Sequence, residues 1–227
     1  ICYDVLARGQ ARGIRFSKIL SVGNSAHLDW PDYVDFLASD PDTRTIALYI
    51  ESVADGYGLY MTLSAAAGRK PVVVLKGGRT ENGSASVVSH TGRLAGDYAI
   101  WSTMFRQAGV VGAKSLEEMF ILCEAPERHR LGGSAPFARG SGVTQGRGVA
   151  LIGTGGGATV LLSDACDDAG LRLAKLRPQT VDRLRSLVPG ADSLGGVSNP
   201  IEVGADRLLS DSALLGAIVG ACETDGS

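Results

Sequence analysis

"PVVVLKGGRTENGSASVVSHTGRLAG", residues 71–96, decides how the chain is read. Its first eight residues, 71–78, form an apolar β-branched strand that runs out on two glycines. Its second half sets His90 between another β-branched run and a glycine-studded turn containing Thr91, Gly92 and Gly96. Upstream, "TIALYIE" (45–51) is apolar on both faces, as a buried parallel strand should be. Between the two strands, Leu59, Leu63 and Ala67 keep helical spacing until Gly68 stops them. Downstream, Ile100, Trp101, Met104 and Phe105 predict a helix over 97–108 with Gly109 as terminator. A brief "VV" follows, and then Ser115 and Glu118 form a capping box for a helix over 116–125. Near the start, "ICYDVLARGQARG" reads as a helix stopping at Gly13, and "KILSV" (18–22) is strand-like. Asp29 then caps a helix with Pro31 in its first turn, ending near 39–45. Strands alternating with helices predict a doubly wound α/β sheet.

Residues 126–147, "PERHRLGGSAPFARGSGVTQGR", have no period and are dense in Gly, Ser, Pro and Arg, which reads as a linker. The pattern restarts with a strand over 148–153. "TGGGATVLLSDACDDAG" is a glycine loop opening a helix that ends at Gly170. Val181, Leu184, Leu187 and Val188 mark another helix, "VSNPIEVG" reads as a turn, and a last helix covers 211–223. The expectation is thus two α/β domains, 1–125 and 148–227, both incomplete. The opening inside a helix and the closing "ACETDGS" with no strand after it predict a piece of a longer polypeptide. No signal or transit segment is visible.

The 227 residues are 44% hydrophobic and 20% charged, which is globular composition with room for a core. A net charge of −2 argues against nucleic acid as the main partner. No apolar run approaches the roughly 20 residues that span a membrane. Cys2, Cys123, Cys166 and Cys222 include no CxxC pair, so free thiols in a reducing cytoplasm fit better than a disulfide frame or a metal site.

Two elements carry chemistry. "GTGGGA" (153–158), between a strand and a helix, aims backbone N–H groups and the positive helix end at one point, which suits an anion. It is neither a GxGxxG in the right phase nor a P-loop, and a tight turn needing small residues explains it equally well. His90, in its glycine loop, is either a histidine bonded to loop carbonyls or an accessible nucleophile. An imidazole of pKa about 6.5 facing an anion-friendly backbone can accept a phosphoryl group on nitrogen. Such a ring needs a partner on its other nitrogen. Glu51, a carboxylate at the C-terminal end of a buried strand, is the leading candidate, because ligands of open α/β sheets gather at those ends.

"SVGNSAHLDWPDYVDFLASDPDTRTIALYIES", "KPVVVLKGGRTENGSASVVSHTGRLAG" and "FRQAGVVGAKSLEEM" together resemble the succinyl-CoA ligase-like domain of NDP-forming acyl-CoA synthetases. The stretch 148–204 resembles the second ligase domain of the same family, and the likeness spans nearly all the chain outside the linker. The resemblance implies two flavodoxin-like, succinyl-CoA ligase-like domains. It implies that the histidine of "SHTG", His90, is phosphorylated and that Glu51 contacts it. Two helix N-termini would flank the phosphate, one around Thr91, Gly92 and Gly96, the other at Gly155, Gly156 and Gly157. Each is worth about 0.3–1 kcal/mol at an exposed site. Gly23, Asn24 and Asn199 fall in a candidate substrate loop. The implied reaction joins a small carboxylic acid to CoA with ATP, giving acyl-CoA, ADP and phosphate. ATP with Mg would bind on an ATP-grasp partner domain or subunit and CoA on another, in a cytoplasmic homo-oligomer with no resident metal. Departures are His27, where the family has an acid, and Asn199-Pro200-Ile201-Glu202 for its NP-[VL]-D. His129 receives no role. The alternative is a regulatory, non-catalytic ligase-like module of a larger protein such as a protein acetyltransferase, in which this histidine is typically lost. A flavin-binding domain fits poorly, with 6% aromatic residues and none in the glycine loops.

Overall fold

The computed structural model describes residues 1–22, 28–129, 148–188, 197–211 and 213–223. The expectations for Gly23, Asn24 and His27, and for 130–147 of the linker, lie outside the described residues. The chain is α/β with parallel sheets and divides into two packed units, Ile1–Lys76 with Gly96–Ala138, and Gly77–Ala95 with Arg139–Ser227.

In the first unit β1 (Ile46–Ile50), β2 (Val72–Lys76) and β3 (Val111–Ala113) form a parallel sheet in that order. Ile46 pairs with Val72, and Val73 with Val111. The central strand β2 is buried along its whole length, as its unbroken apolar run requires. Around the sheet stand α1 (Cys2–Ala11), α2 (Trp30–Ser39), α3 (Gly56–Ala67), α5 (Tyr98–Ala108) and α6 (Leu116–His129). Val34, Leu48, Leu59, Leu63, Val74 and Phe105 share the core. Asp29 and Asp32 make the capping box of α2, with Pro31 in the first turn. Lys76, 1% exposed, ends β2 with its ammonium 5.2 Å from the Trp101 ring.

In the second unit α4 (Glu81–Thr91) joins β4 (Ile152–Gly153), α7 (Gly156–Asp168), α8 (Pro178–Leu187), β5 (Ile201–Glu202), α9 (Ala205–Ser210) and α10 (Leu214–Glu223). β4 and β5 are parallel, with Ile152 opposite Ile201 and Gly153 opposite Glu202. Leu184, Val188, Ile201, Val203 and Ile218 pack into its main core.

Several elements differ from the sequence reading. Residues 18–22 make no strand, since they find no ladder partner; side chains of 17 and 18 bond instead to the turn after α2. "SNPIE" is not wholly a turn: Ile201 N donates to Leu151 O at 2.7 Å and Val203 N to Gly153 O at 2.9 Å, past Pro200, which has no N–H to give. The final helix is found as α10, starting at Leu214, and is preceded by a short helix, α9, that the sequence reading lacked. α6 continues through Pro126 to His129, because a proline removes one hydrogen bond without stopping a helix held by packing. None of the four cysteines is in a disulfide. Burial pushes the thiol of Cys123 up to about 11, and that of Cys166 upward, so neither is a thiolate at neutral pH.

The turn after α2 hangs on Asp40, whose carboxylate accepts from Lys18 Nζ at 2.7 Å and Thr43 Oγ1 at 2.6 Å. Lys18 first, then Thr43, holds its pKa down at about 2, against about 3.9 in an unfolded chain. A depressed acid contributes stability that is complete above the unfolded value and is lost as pH falls through the folded one. Asp40→Asn should therefore be less stable than wild type near neutral pH, with the gap closing between pH about 4 and about 2. Urea midpoints that coincide at neutral pH would remove this role.

Candidate functional site

His90 does not sit in a loop. Thr80 is the N-cap of α4, its Oγ1 accepting from Gly83 N at 3.1 Å, with Glu81 in the first turn. Gly92 ends the helix in the left-handed conformation, φ 68°, its N–H donating to Val88 O at 2.9 Å. Residue 90 therefore lies in the last turn of an eleven-residue helix. The side chains of His90 and Thr91 lie outside the described residues.

α4 packs on α7, and the contacts fix the direction. Thr80 meets Asp164, Asn82 meets Asp167, Ser86 meets Ser163 at 3.0 Å, and Val87 shares a buried cluster with Val160 and Ala95. From Asn82 onward the number rises along α4 as it falls along α7, 167 to 163 to 160, so the helices are antiparallel. The last turn of α4, with residue 90, is thus carried toward the end at which α7 begins. There the N-cap is Gly155 (φ 120°, ψ 144°), which has no side chain to occupy the helix end, and Gly156 and Gly157 are buried behind it. The carbonyl end of one helix dipole lies toward the N–H end of the other, a favourable pairing. This end is also the C-terminal edge of β4 and β5, where open α/β sheets hold ligands.

Beside α4, α7 and the segment that leads into β5 lies a cleft of about 120 Å³, lined by Asn82, Ser86, Ser89, Thr159, Asn199 and Glu202 among others. Sequence reading missed Ser86, Ser89 and Thr159. The serines are three apart on α4, so they share one face, a pattern visible only once 81–91 is recognised as helical. Glu202, 7% exposed, ends β5 opposite Gly153.

The remaining expected residues divide. Asn199 ties strands together: its Oδ1 accepts from Leu151 N at 2.8 Å, and its Nδ2 donates to Val149 O at 2.6 Å and Ala174 O at 3.0 Å. Both amide hydrogens are thereby committed. Thr91 and Gly92 close a helix instead of opening one, and the N–H of Gly92 is spent on Val88, so no helix start lies there to receive phosphate. The next helix, α5, begins beyond Gly96 (φ 75°), and its end is taken by the Asp97 carboxylate, which accepts from Ala99 N at 2.7 Å. Glu51 follows β1 in the first unit and accepts from Tyr49 Oη at 2.9 Å. Among the described residues no cluster of three His, Cys, Asp or Glu could hold a metal ion.

These features define an open parallel α/β protein with a helix that starts on glycines at its sheet edge. The chain belongs to the family of succinyl-CoA ligase-like flavodoxin domains, whose model matches residues 1–125; a ligase-CoA domain model matches residues 149–211. It is 35% identical over 202 residues to acetate–CoA ligase (ADP-forming) I of Archaeoglobus fulgidus, covering 89% of this chain and 27% of the relative. To the α subunit of acetate–CoA ligase (ADP-forming) II of Pyrococcus furiosus it is 37% identical over 190 residues, covering 84% and 38%. Among solved structures it is similar to the dinucleotide-forming acetyl-coenzyme A synthetase 1 of Ca. Korarchaeum cryptofilum in complex with phosphate and ADP. That match has 27% identity, TM-score 0.50, and covers 99% of this chain and 52% of the other. The chain thus spans 27–38% of the length of these two curated relatives.

Gly155 occupies backbone space open essentially to glycine alone, and a Cβ there would meet no atom within 4 Å. The cost of Gly155→Ala is therefore backbone strain, about 1–3 kcal/mol, with α7's start displaced. Thermal unfolding should register that loss; an unchanged midpoint would show that the loop does not need its glycine.

Proposed function

We propose that this chain is the phosphohistidine-bearing part of an ADP-forming acyl-CoA synthetase, converting a carboxylic acid, ATP and CoA to acyl-CoA, ADP and phosphate. The observation that carries the reading is the antiparallel packing of α4 on α7, which brings the helix end bearing residue 90 toward the glycine start of α7. The curated relatives' ligase activities support it.

In the proposed cycle a nitrogen of His90 attacks the γ-phosphorus of ATP, and ADP leaves. The phosphoryl group passes from nitrogen to the substrate carboxylate, giving an acyl phosphate. The CoA sulfur then displaces phosphate from the acyl carbon. Splitting one transfer into steps lets each site stabilise its own developing charge. Gly155, Gly156 and Gly157 receive the phosphoryl oxygens at the start of α7. Glu51 orients the imidazole by accepting its other N–H. The small acid enters the cleft that Ser86, Ser89 and Thr159 line. Nucleotide with Mg and CoA are held by ATP-grasp and CoA-binding partners, on the same polypeptide or on other subunits. Within the chain, 1–125 and 148–227 act as two domains joined by 126–147. Among the described residues no helix is long and apolar enough to cross a membrane; a cytoplasmic homo-oligomer fits the substrates.

Incubating the complete enzyme with ATP labelled at the γ-phosphate should yield acid-labile, base-stable label that vanishes in His90→Ala. Label that survives in this variant, or none in an active wild type, rejects the phosphohistidine role; an inactive, unlabelled protein points to the regulatory alternative. Glu51→Gln should slow labelling about 10–100-fold, as the loss of a histidine's orienting partner does. Unchanged labelling would take Glu51 out of the mechanism.

A further inference from the structure

The part of α4 farthest from His90 is its most firmly held. Asp164 of α7, 1% exposed, accepts four hydrogen bonds from the start of α4: Gly78 N at 3.0 Å, Arg79 N at 3.3 Å, Thr80 N at 2.9 Å and Thr80 Oγ1 at 2.8 Å. Asp167 and Asp168, three and four residues on and so on the same face, continue the grip. Asp167 accepts from Asn82 N at 3.1 Å and Nδ2 at 2.6 Å, and Asp168 is paired with the Arg79 guanidinium. The approach is so close that a Cβ on Gly83 would collide with the Asp164 carboxylate, and one on Gly78 would stand 2.6 Å from Val87 Cγ2. Beyond these contacts α4 meets α7 through the Ser86–Ser163 hydrogen bond at 3.0 Å and the buried contact of Val87 with Val160.

We propose that Asp164 is a positioning residue for His90, fixing the first turn of α4 on α7 and thereby setting where the last turn stops relative to the glycine start of α7. This rests on the phosphohistidine reading above. The lever is geometric. A helix rises 1.5 Å per residue, so a shift by one residue at the anchor moves residue 90 by that much. Displacement of a reacting group by about 1 Å costs on the order of 100-fold in rate. The carboxylate suits the task because a bundle of backbone N–H donors at a helix start, carrying the positive end of the dipole, gives a buried anion partners without a cation.

The test uses the complete enzyme, with single-turnover labelling of His90 from γ-labelled ATP measured beside kcat and KM for ATP. Asp164→Asn turns an amide into a nest of donors. It should slow labelling at least about 10-fold and lower kcat with it, while KM for ATP stays within about twofold because the nucleotide is held elsewhere. Thr80→Val removes one donor to Asp164 and the cap on Gly83, and should slow labelling in the same sense; Thr80→Ser, which keeps the hydroxyl, should restore it. Labelling at the wild-type rate in both Asp164→Asn and Thr80→Val, or a lowered melting temperature with an unchanged rate, overturns the proposal. If Asp164→Asn does not fold, the threonine pair decides: Val slow and Ser normal upholds it, and Val equal to Ser overturns it. Label on His90 that is indifferent to Asp164 removes this proposal alone. A wild type that takes no label on His90 removes the phosphohistidine reading and this proposal with it.

Discussion

One buried carboxylate, Asp164, meets the first turn of α4 and determines where the histidine-bearing helix belongs. A buried charge without partners costs several kcal/mol. This one has four hydrogen bonds from a segment 84–86 residues away in sequence. The segment 77–95 consequently packs with the second unit although the strand before it, β2, is the centre of the first. The excursion leaves and returns at glycines, Gly77 and Gly78 at one end and Gly96 at the other, with Gly78 and Gly96 at positive φ. Those are the residues that can turn a chain sharply without a Cβ penalty.

From that anchor the electrostatics follow. By itself, the C-terminal end of α4 is a poor place for a phosphoryl group, since its carbonyls present partial negative charge. Packing antiparallel to α7 brings a compensating positive end to the same region, and the residue heading that end, Gly155, has no side chain to fill it. α5 shows the contrary arrangement: the Asp97 carboxylate sits on its first turn and accepts from Ala99 N at 2.7 Å. On the proposed reading one helix start serves the phosphate, not two, and the glycine loop after β4 provides it.

The long-period features were legible in the sequence. β1 and β2 could be read from apolar runs rich in isoleucine and valine, α2 from Asp29 and Pro31, and α5 from its spacing and Gly109. The sheet edge as the place for Glu51 followed from strand ends. What escaped was local. "TENGSASVVSHT" is rich in serine, asparagine and glycine, weak helix formers, and the β-branched run before His90 and the glycines after it placed the histidine in a loop. Its start and stop signals, Thr80 with Glu81 and then Gly92, were present but were outweighed by composition. α4 is a helix because α7 buries Val87 and caps its start, a tertiary fact no window of twelve residues contains. β5 escaped for a similar reason: two residues beyond a proline make a strand only because Leu151 and Gly153 offer carbonyls to Ile201 and Val203. The role of Asn199 likewise depends on three backbone partners at separations of 25 to 50 residues.

The two family matches, 1–125 and 149–211, divide the chain differently from its packing. Between them lies the physical reason the two stretches need one another. Cut from residues 149–211, residues 1–125 would carry α4 with Val87 uncovered and the N–H groups of Gly78, Arg79 and Thr80 without their acceptor. Cut from 1–125, α7 would hold three carboxylates, Asp164, Asp167 and Asp168, on one face, with the first deprived of all the donors that make its burial tolerable. Each stretch supplies what the other cannot leave unsatisfied, so separating them costs a buried polar network and not merely an apolar contact. A fold built this way keeps the histidine helix and the glycine-loop helix together through any motion of the rest. That constancy is what two helix ends need if they are to share one phosphoryl group.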